Sequence, residues 1–167
     1  MRWIWIDKFV EFESGRRAVA VKNVTMAEEH LHDHFPGFPV MPECLMIEGM
    51  AQTAGILVGE AKGFAEKVIL AKITKAVFHD FVTPGDSLRL TAQIETIAPE
   101  AAGTSGTITR DDELIAEIDL MFSHIDQNLA GKKFPKENFV FTGTFTSLLR
   151  SFVPELPQAG TGVEGCE

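Results

Sequence analysis

The stretch HDHFPGFPVMPECLMIEGMAQTAGILVGEAKG, residues 32–63, changes character near its middle, and that change decides the fold. Residues 36–42 hold three prolines and a glycine: Pro36, Gly37, Pro39 and Pro42. Proline fixes its own φ and disfavours helix at the residue before it, so HDHFPGFPVMP is a stiff loop. From Pro42 to about Lys62 the sequence predicts one helix of about five turns. Pro42 suits the first turn, where its missing N–H is harmless, and Gly63 suits the stop. The helix is apolar almost all round, through Leu45, Met46, Ile47, Met50, Ala51, Ala54, Ile56, Leu57 and Val58. A helix without a polar face has to be wrapped on most sides. Gly49, Gly55 and Gly59 each disfavour helix by about 1 kcal/mol relative to alanine, which is tolerable where a sheet or a partner helix comes close.

The wrapping lies on either side. Upstream, Trp3 to Ile6 reads as a short strand, followed by a hairpin turning at Ser14-Gly15 and a strand from Ala18 to Val24 with period-2 alternation. Asn23 to Leu31 is irregular, with one helical turn expected at Met26 to His30. Downstream, Lys67–Val82, Asp86–Ala98, Ala101–Arg110 and Glu113–Ile125 are rich in Val, Ile, Thr and Phe, with turn signals between them. Short links imply antiparallel pairing of neighbours in a long meander. The expected architecture is α+β, an antiparallel sheet curled round one long buried central helix. The domain is expected to span residues 1–125. Residues 126–167 form a C-terminal extension: FVFTGTFTSLLRSFV is apolar, and the Pro/Gly/Glu-rich end is expected to be disordered.

Composition narrows the function. A length of 167 residues suits one domain with a real core, and 45% hydrophobic with 23% charged residues is ordinary for a globular protein. A formal charge of −9 speaks against nucleic-acid binding, which needs clustered cations, though it leaves room for a local basic patch facing an acidic partner. Cys44 and Cys166 are too few and too far apart for a disulfide framework or a metal knuckle, so reduced thiols and a cytoplasmic setting are expected. The N-terminus reaches Asp7 too soon for a signal peptide, and Cys44–Gly59 contains Glu48 and Gln52 and falls short of a membrane span.

Two residues stand out chemically. Glu48 sits mid-helix among Met46, Ile47, Gly49 and Met50, where an ionised carboxylate is costly and a raised pKa is expected. Raised carboxylate pKa values keep a general acid available near neutral pH. Gln52 lies one turn on and projects from the same face. A single helical Glu is more often one that reaches solvent or pairs with a cation; the lack of other charge between Glu43 and Glu60 tips the balance towards function. His34 stands on the proline-braced loop that leads into this helix, and rigid support is what a general base needs. His30, His32 and Asp33 beside it raise the question of a metal, but no third carboxylate or cysteine set accompanies them, and a solvated approach to the loop is the plainer account. An acid and a base of this kind suit β-elimination next to a thioester carbonyl. Unpaired N–H groups at the helix start are natural donors to the developing enolate. Phosphate-loop, nucleophile-elbow and dinucleotide motifs are missing from the sequence.

The run His34-Phe35-Pro36-Gly37, then Pro39-Val40-Met41-Pro42, then Leu45-Met46-Ile47-Glu48-Gly49-Met50-Ala51-Gln52 resembles the β-hydroxyacyl-acyl-carrier-protein dehydratases of type II fatty-acid synthesis. The fourteen-residue interval from His34 to Glu48 matches that family's catalytic pair, and Ile6–Val10 and Val21–Thr25 are similar to its N-terminal strands. The resemblance covers roughly residues 4–125 and leaves the tail outside. It implies a hotdog fold and dehydration of a (3R)-3-hydroxyacyl thioester carried on acyl carrier protein. It further implies a homodimer whose sites each take His34 from one subunit and Glu48 from the other, and in many members a trimer of dimers. Gln52 matches a position that supports the acid, Gly37 belongs to the His loop, and no metal or organic cofactor is implied.

Two positions depart from the pattern. Glu43 stands where the family usually has glycine, whose backbone N–H faces the thioester carbonyl; the donor survives, but a carboxylate is added at the neck of the site. Met41-Pro42-x-Cys44-Leu45 is similar to the related dehydratase/isomerase branch, which has Asp where this chain has Glu48, so plain dehydration is favoured. Phe78 and Phe81 either line the acyl tunnel or, more plainly, belong to the core. A hotdog thioesterase, using Glu48 without His34, and a silent carrier-binding hotdog subunit are the competing readings. Retention of both His34 and Glu48 speaks against the silent one.

Overall fold

The computed structural model describes residues 3–125 together with 135, 138–143, 147, 149 and 153. Strand β1 (Lys8–Glu13) and strand β2 (Arg17–Asn23) form the N-terminal hairpin, followed by a short helix α1 (His30–Asp33). The long helix α2 (Glu43–Glu60) comes next, then β3 (Val68–Phe78), β4 (Ser87–Ile97), β5 (Ala101–Arg110) and β6 (Glu113–His124). One six-stranded antiparallel sheet has the order β1-β2-β4-β5-β6-β3 and packs on α2 through strands β2 to β6. This is the expected hotdog arrangement, a sheet curled about one central helix.

The meander holds only for β4, β5 and β6. Strand β3 does not pair with β4 but crosses to the far edge and pairs with β6, from Val68 opposite His124 to Phe78 opposite Ala116. The link over residues 79–86 makes this crossing, and Arg110 on β5 anchors it. The guanidinium donates to Phe81 O (3.0 Å), Asp86 Oδ2 (3.3 Å), Asp80 Oδ2 (2.6 Å) and Glu113 Oε2 (2.8 Å). The hydrogen bond from Arg110 holds the Asp80 carboxyl below its usual range.

Trp3 to Ile6 is not a strand. Part of its backbone bonding goes to a side chain instead of a ladder: Trp5 N donates to Gln52 Oε1 at 2.7 Å, which lays the segment across α2. Trp5 and Ile6 are buried there, and Lys22 stands 4.2 Å over the Trp5 ring. The helical turn expected at Met26–His30 forms instead at His30–Asp33. Pro42 occupies the N-cap, one position ahead of the expected first turn, and the helix ends at Glu60 before Gly63 takes a left-handed φ of 60°.

The all-round burial of α2 follows from its composition: Met46, Met50, Ile56, Leu57 and Val58 are at most 1% exposed. Its glycines admit the sheet. A Cβ at Gly49 would lie 2.8 Å from Leu90 Cδ2, and one at Gly55 3.2 Å from Phe122 Cε1. Phe141, Leu149 and Val153 join the same core although β6 ends at His124. The expected disorder of the Pro/Gly/Glu-rich end lies outside the described residues.

Candidate active site

Glu48 is less enclosed than its apolar neighbours suggest. It is half-buried on the wall of a cavity of about 230 Å³, shared with Gln52, Gly55, Phe122, Val140 and Phe141. The volume is below the roughly 300–1,000 Å³ typical of pockets for drug-sized ligands. Apart from the Glu48 and Gln52 head groups the lining side chains are apolar. The start of β3, Val68 to Leu70, supplies its outer rim.

Gln52 fixes the carboxylate. Its Nε2 donates to Glu48 Oε1 at 2.8 Å and to Trp3 O at 3.1 Å, while its Oε1 accepts from Trp5 N. At 3% exposure this amide is effectively buried, and every contact orients it. Gln52→Leu removes all three bonds and strands the Trp5 N–H, at a cost of about 1–3 kcal/mol. The expected result is a lower midpoint in chemical denaturation together with weaker catalysis. Unchanged stability would mean that the amide does not hold the N-terminal segment.

His34 lies at the C-terminal end of α1 and is half-buried. Its Nδ1 is 2.8 Å from Val40 O. A carbonyl can only accept, so Nδ1 carries the proton and Nε2 presents its lone pair. The loop that holds it is closed by Val40 N donating to His34 O (2.8 Å) and Met41 N donating to Val82 O (2.8 Å). The second bond ties the loop to the link anchored by Arg110. Gly37 turns the loop at a φ of 79°, a left-handed value at which side-chain-bearing residues are strained. Phe35 N and Phe38 N exchange bonds with each other's carbonyls across this turn at 3.0 and 2.9 Å.

The structure does not bring His34 into the lining of the Glu48 cavity within one chain. Glu43 is the first residue of α2, where a backbone N–H has no carbonyl partner inside the helix; its side chain is exposed. Among the described residues no three His, Cys, Asp or Glu side chains gather to hold a metal ion. His32 Nε2 is engaged with Met26 O at 3.0 Å, and His30 packs 5.6 Å from the Trp5 ring. Phe78 packs partly buried against the core, but Phe81 does not belong to it: 61% exposed, it meets Phe38 edge to face at 6.1 Å. The crossing of β3 carries that residue out over the surface. Val140 and Phe141 were not anticipated as site residues; the apolarity of residues 139–153 was the signal that could have found them.

Comparison with known proteins places this geometry. The FabA-like domain matches residues 3–119. The 3-hydroxyacyl-acyl-carrier-protein dehydratase FabZ of Pelotomaculum thermopropionicum is 38% identical over 122 residues, 72% of this chain and 87% of the relative. The FabZ of Acetivibrio thermocellus is 39% identical over 129 residues, 75% of this chain and 87% of the relative. Among solved structures, the dehydratase heterocomplex ApeI:P from Xenorhabdus doucetiae superposes with a TM-score of 0.63 at 14% identity, covering 77% of this chain and 90% of that one. At that identity the likeness concerns the fold alone.

Proposed function

Given that this chain belongs to the FabA-like domain family, we propose that it is a lyase that dehydrates 3-hydroxyacyl thioesters of acyl carrier protein to trans-2-enoyl thioesters in fatty-acid biosynthesis. The observation that carries the reading is Glu48, held by Gln52 on the wall of an otherwise apolar cavity. An acyl chain occupies the apolar part, and the carboxyl meets the polar carbon at its head.

The roles follow from the hydrogen bonds. His34 Nε2, left with its lone pair by the Nδ1 bond to Val40, takes the proton α to the thioester carbonyl. Glu48 delivers a proton to the departing β-hydroxyl, which leaves as water. The enolate oxygen is met by the backbone N–H of Glu43 at the start of α2, aided by the positive end of the helix dipole. The exposed Glu43 side chain is favoured there by the same dipole.

The lining of the Glu48 cavity does not include His34, and in this reading a second copy of the chain supplies it. Strand β3 supplies the joining surface. It is an edge strand, and Ile69, Leu70, Ile73 and Val77 are 38–43% exposed along it. An exposed apolar edge strand is a template for pairing with another chain. Antiparallel pairing of β3 with its symmetry mate buries these residues and carries His34 of the second copy to Glu48. Among the described residues no helix is long and apolar enough to cross a membrane.

The test is incubation with crotonyl- and longer trans-2-enoyl-acyl carrier protein, following the added water by mass. Hydration to the 3-hydroxyacyl product is expected. Release of free acid without hydration would make the protein a thioesterase and remove His34 from the mechanism. Binding without conversion would leave a silent carrier-binding subunit.

A further inference from the structure

Part of the Glu48 cavity is lined by residues outside the family match. That match ends at residue 119, whereas Val140 and Phe141 line the cavity together with Glu48. From the geometry of these residues we infer that residues 138–141 form an end wall that limits the length of the acyl chain accepted, an inference that rests on the dehydratase reading above.

Glu48, Gln52, Gly55 and Gly59 recur at helical spacing and share one face of α2. The first three line the cavity, so it runs from the Glu48 carboxyl along the helix towards its C-terminus. The rise from Glu48 to Gly59 is about 16 Å. At that point stands the Phe141 ring: a Cβ on Gly59 would fall 2.5 Å from its Cε2. Gly59 therefore makes room for the ring, which is 4% exposed and packs 5.1 Å from Phe64 at an interplanar angle of 60°.

The wall is fastened from both sides. Asn138 Nδ2 donates to Phe64 O (2.9 Å) and Glu66 O (3.0 Å), while its Oδ1 accepts from Val140 N and Phe141 N at 3.0 Å each. One side chain thus couples the backbone between α2 and β3 to the backbone carrying the wall. Phe64 adopts a φ of 57°, uncommon for a bulky residue, and its N–H is satisfied by Gly59 O at 2.8 Å. That conformation sets its ring against Phe141. A segment pinned by four bonds to one asparagine is a built surface, and an acyl chain lengthening from Glu48 runs into it.

The experiment compares kcat/KM for crotonyl- and hexadecenoyl-acyl carrier protein in the unmodified protein, Phe141→Ala and Val140→Ala. Phe141 is part of the core and its loss can weaken the fold; Val140 is only half-buried and provides the second variant. The long-to-short ratio is expected to rise by roughly 10–200-fold in Phe141→Ala, the range that one methylene commands in an apolar pocket, and in the same direction in Val140→Ala. An unaltered ratio in the folded variants overturns the wall. Binding of the non-reacting butanoyl- and hexadecanoyl-acyl carrier proteins reads the same wall without turnover. A protein that hydrates neither enoyl substrate yet shows the binding shift removes the dehydratase reading and keeps the wall. Hydration with a fixed ratio does the reverse.

Discussion

His34→Ala and Glu48→Gln are each expected to lower hydration and dehydration by about 10²–10⁴, the usual contribution of a general acid or base. Neither change should disturb the fold much, because both groups are half-buried and neither belongs to the hydrophobic core. Removing His34 takes away the Nε2 lone pair while the loop remains closed by Val40 N to His34 O and Met41 N to Val82 O. Glu48→Gln keeps the shape and an oxygen for the Gln52 bond, but an amide has no acidic proton to deliver. Near-normal turnover in either variant, with circular dichroism and denaturation midpoints unchanged, would assign the chemistry to other groups.

Mixing these two inactive proteins is expected to restore activity. If each site combines Glu48 of one copy with His34 of another, equal amounts after free exchange give heterodimers in half the population. Each heterodimer has one intact site, so about a quarter of the sites recover. Because the starting variants keep only about 10⁻²–10⁻⁴ of the activity, this is a gain of roughly 25- to 2,500-fold. Exchange is verified independently with differently tagged copies. No gain despite proven exchange would place His34 and Glu48 of one chain together. That outcome would overturn the shared site, which the cavity lining supports by including Glu48 without His34. Ile73→Lys, on the exposed face of β3, is expected to block exchange and activity together by placing a charge on the pairing edge.

Much of the fold was legible in the sequence because its signals are local. The apolar run of residues 43–60 has to be a wrapped helix, and the later segments alternate as strands, so α2 and four strands lie within a few residues of their expected ends. The motif HFPG and the acid fourteen residues later point in the same way to the pair proposed for the chemistry, since spacing along one loop and one helix is a property of the chain itself. Trp3 to Ile6 misled because its alternation is that of a strand, while its N–H groups answer to a glutamine forty-seven residues away. The crossing of β3 was invisible for a related reason. Alternation says that a segment is a strand but not which neighbour it takes, and here the partner follows from closure of the sheet around α2.

The sequence by itself determined that one glycine-bearing helix is buried in an antiparallel sheet, and that a histidine and a glutamate flank its start. Only the tertiary structure decided what surrounds that glutamate. Gln52, Trp3 and Trp5 meet at one amide because the N-terminal segment lies across α2. Val140 and Phe141 line the cavity because the chain returns to α2 after the sheet is complete, and Asn138 binds the backbone that carries them. These contacts join residues tens of positions apart, and the free energy that selects them comes from burying side chains together rather than from any local preference of the backbone.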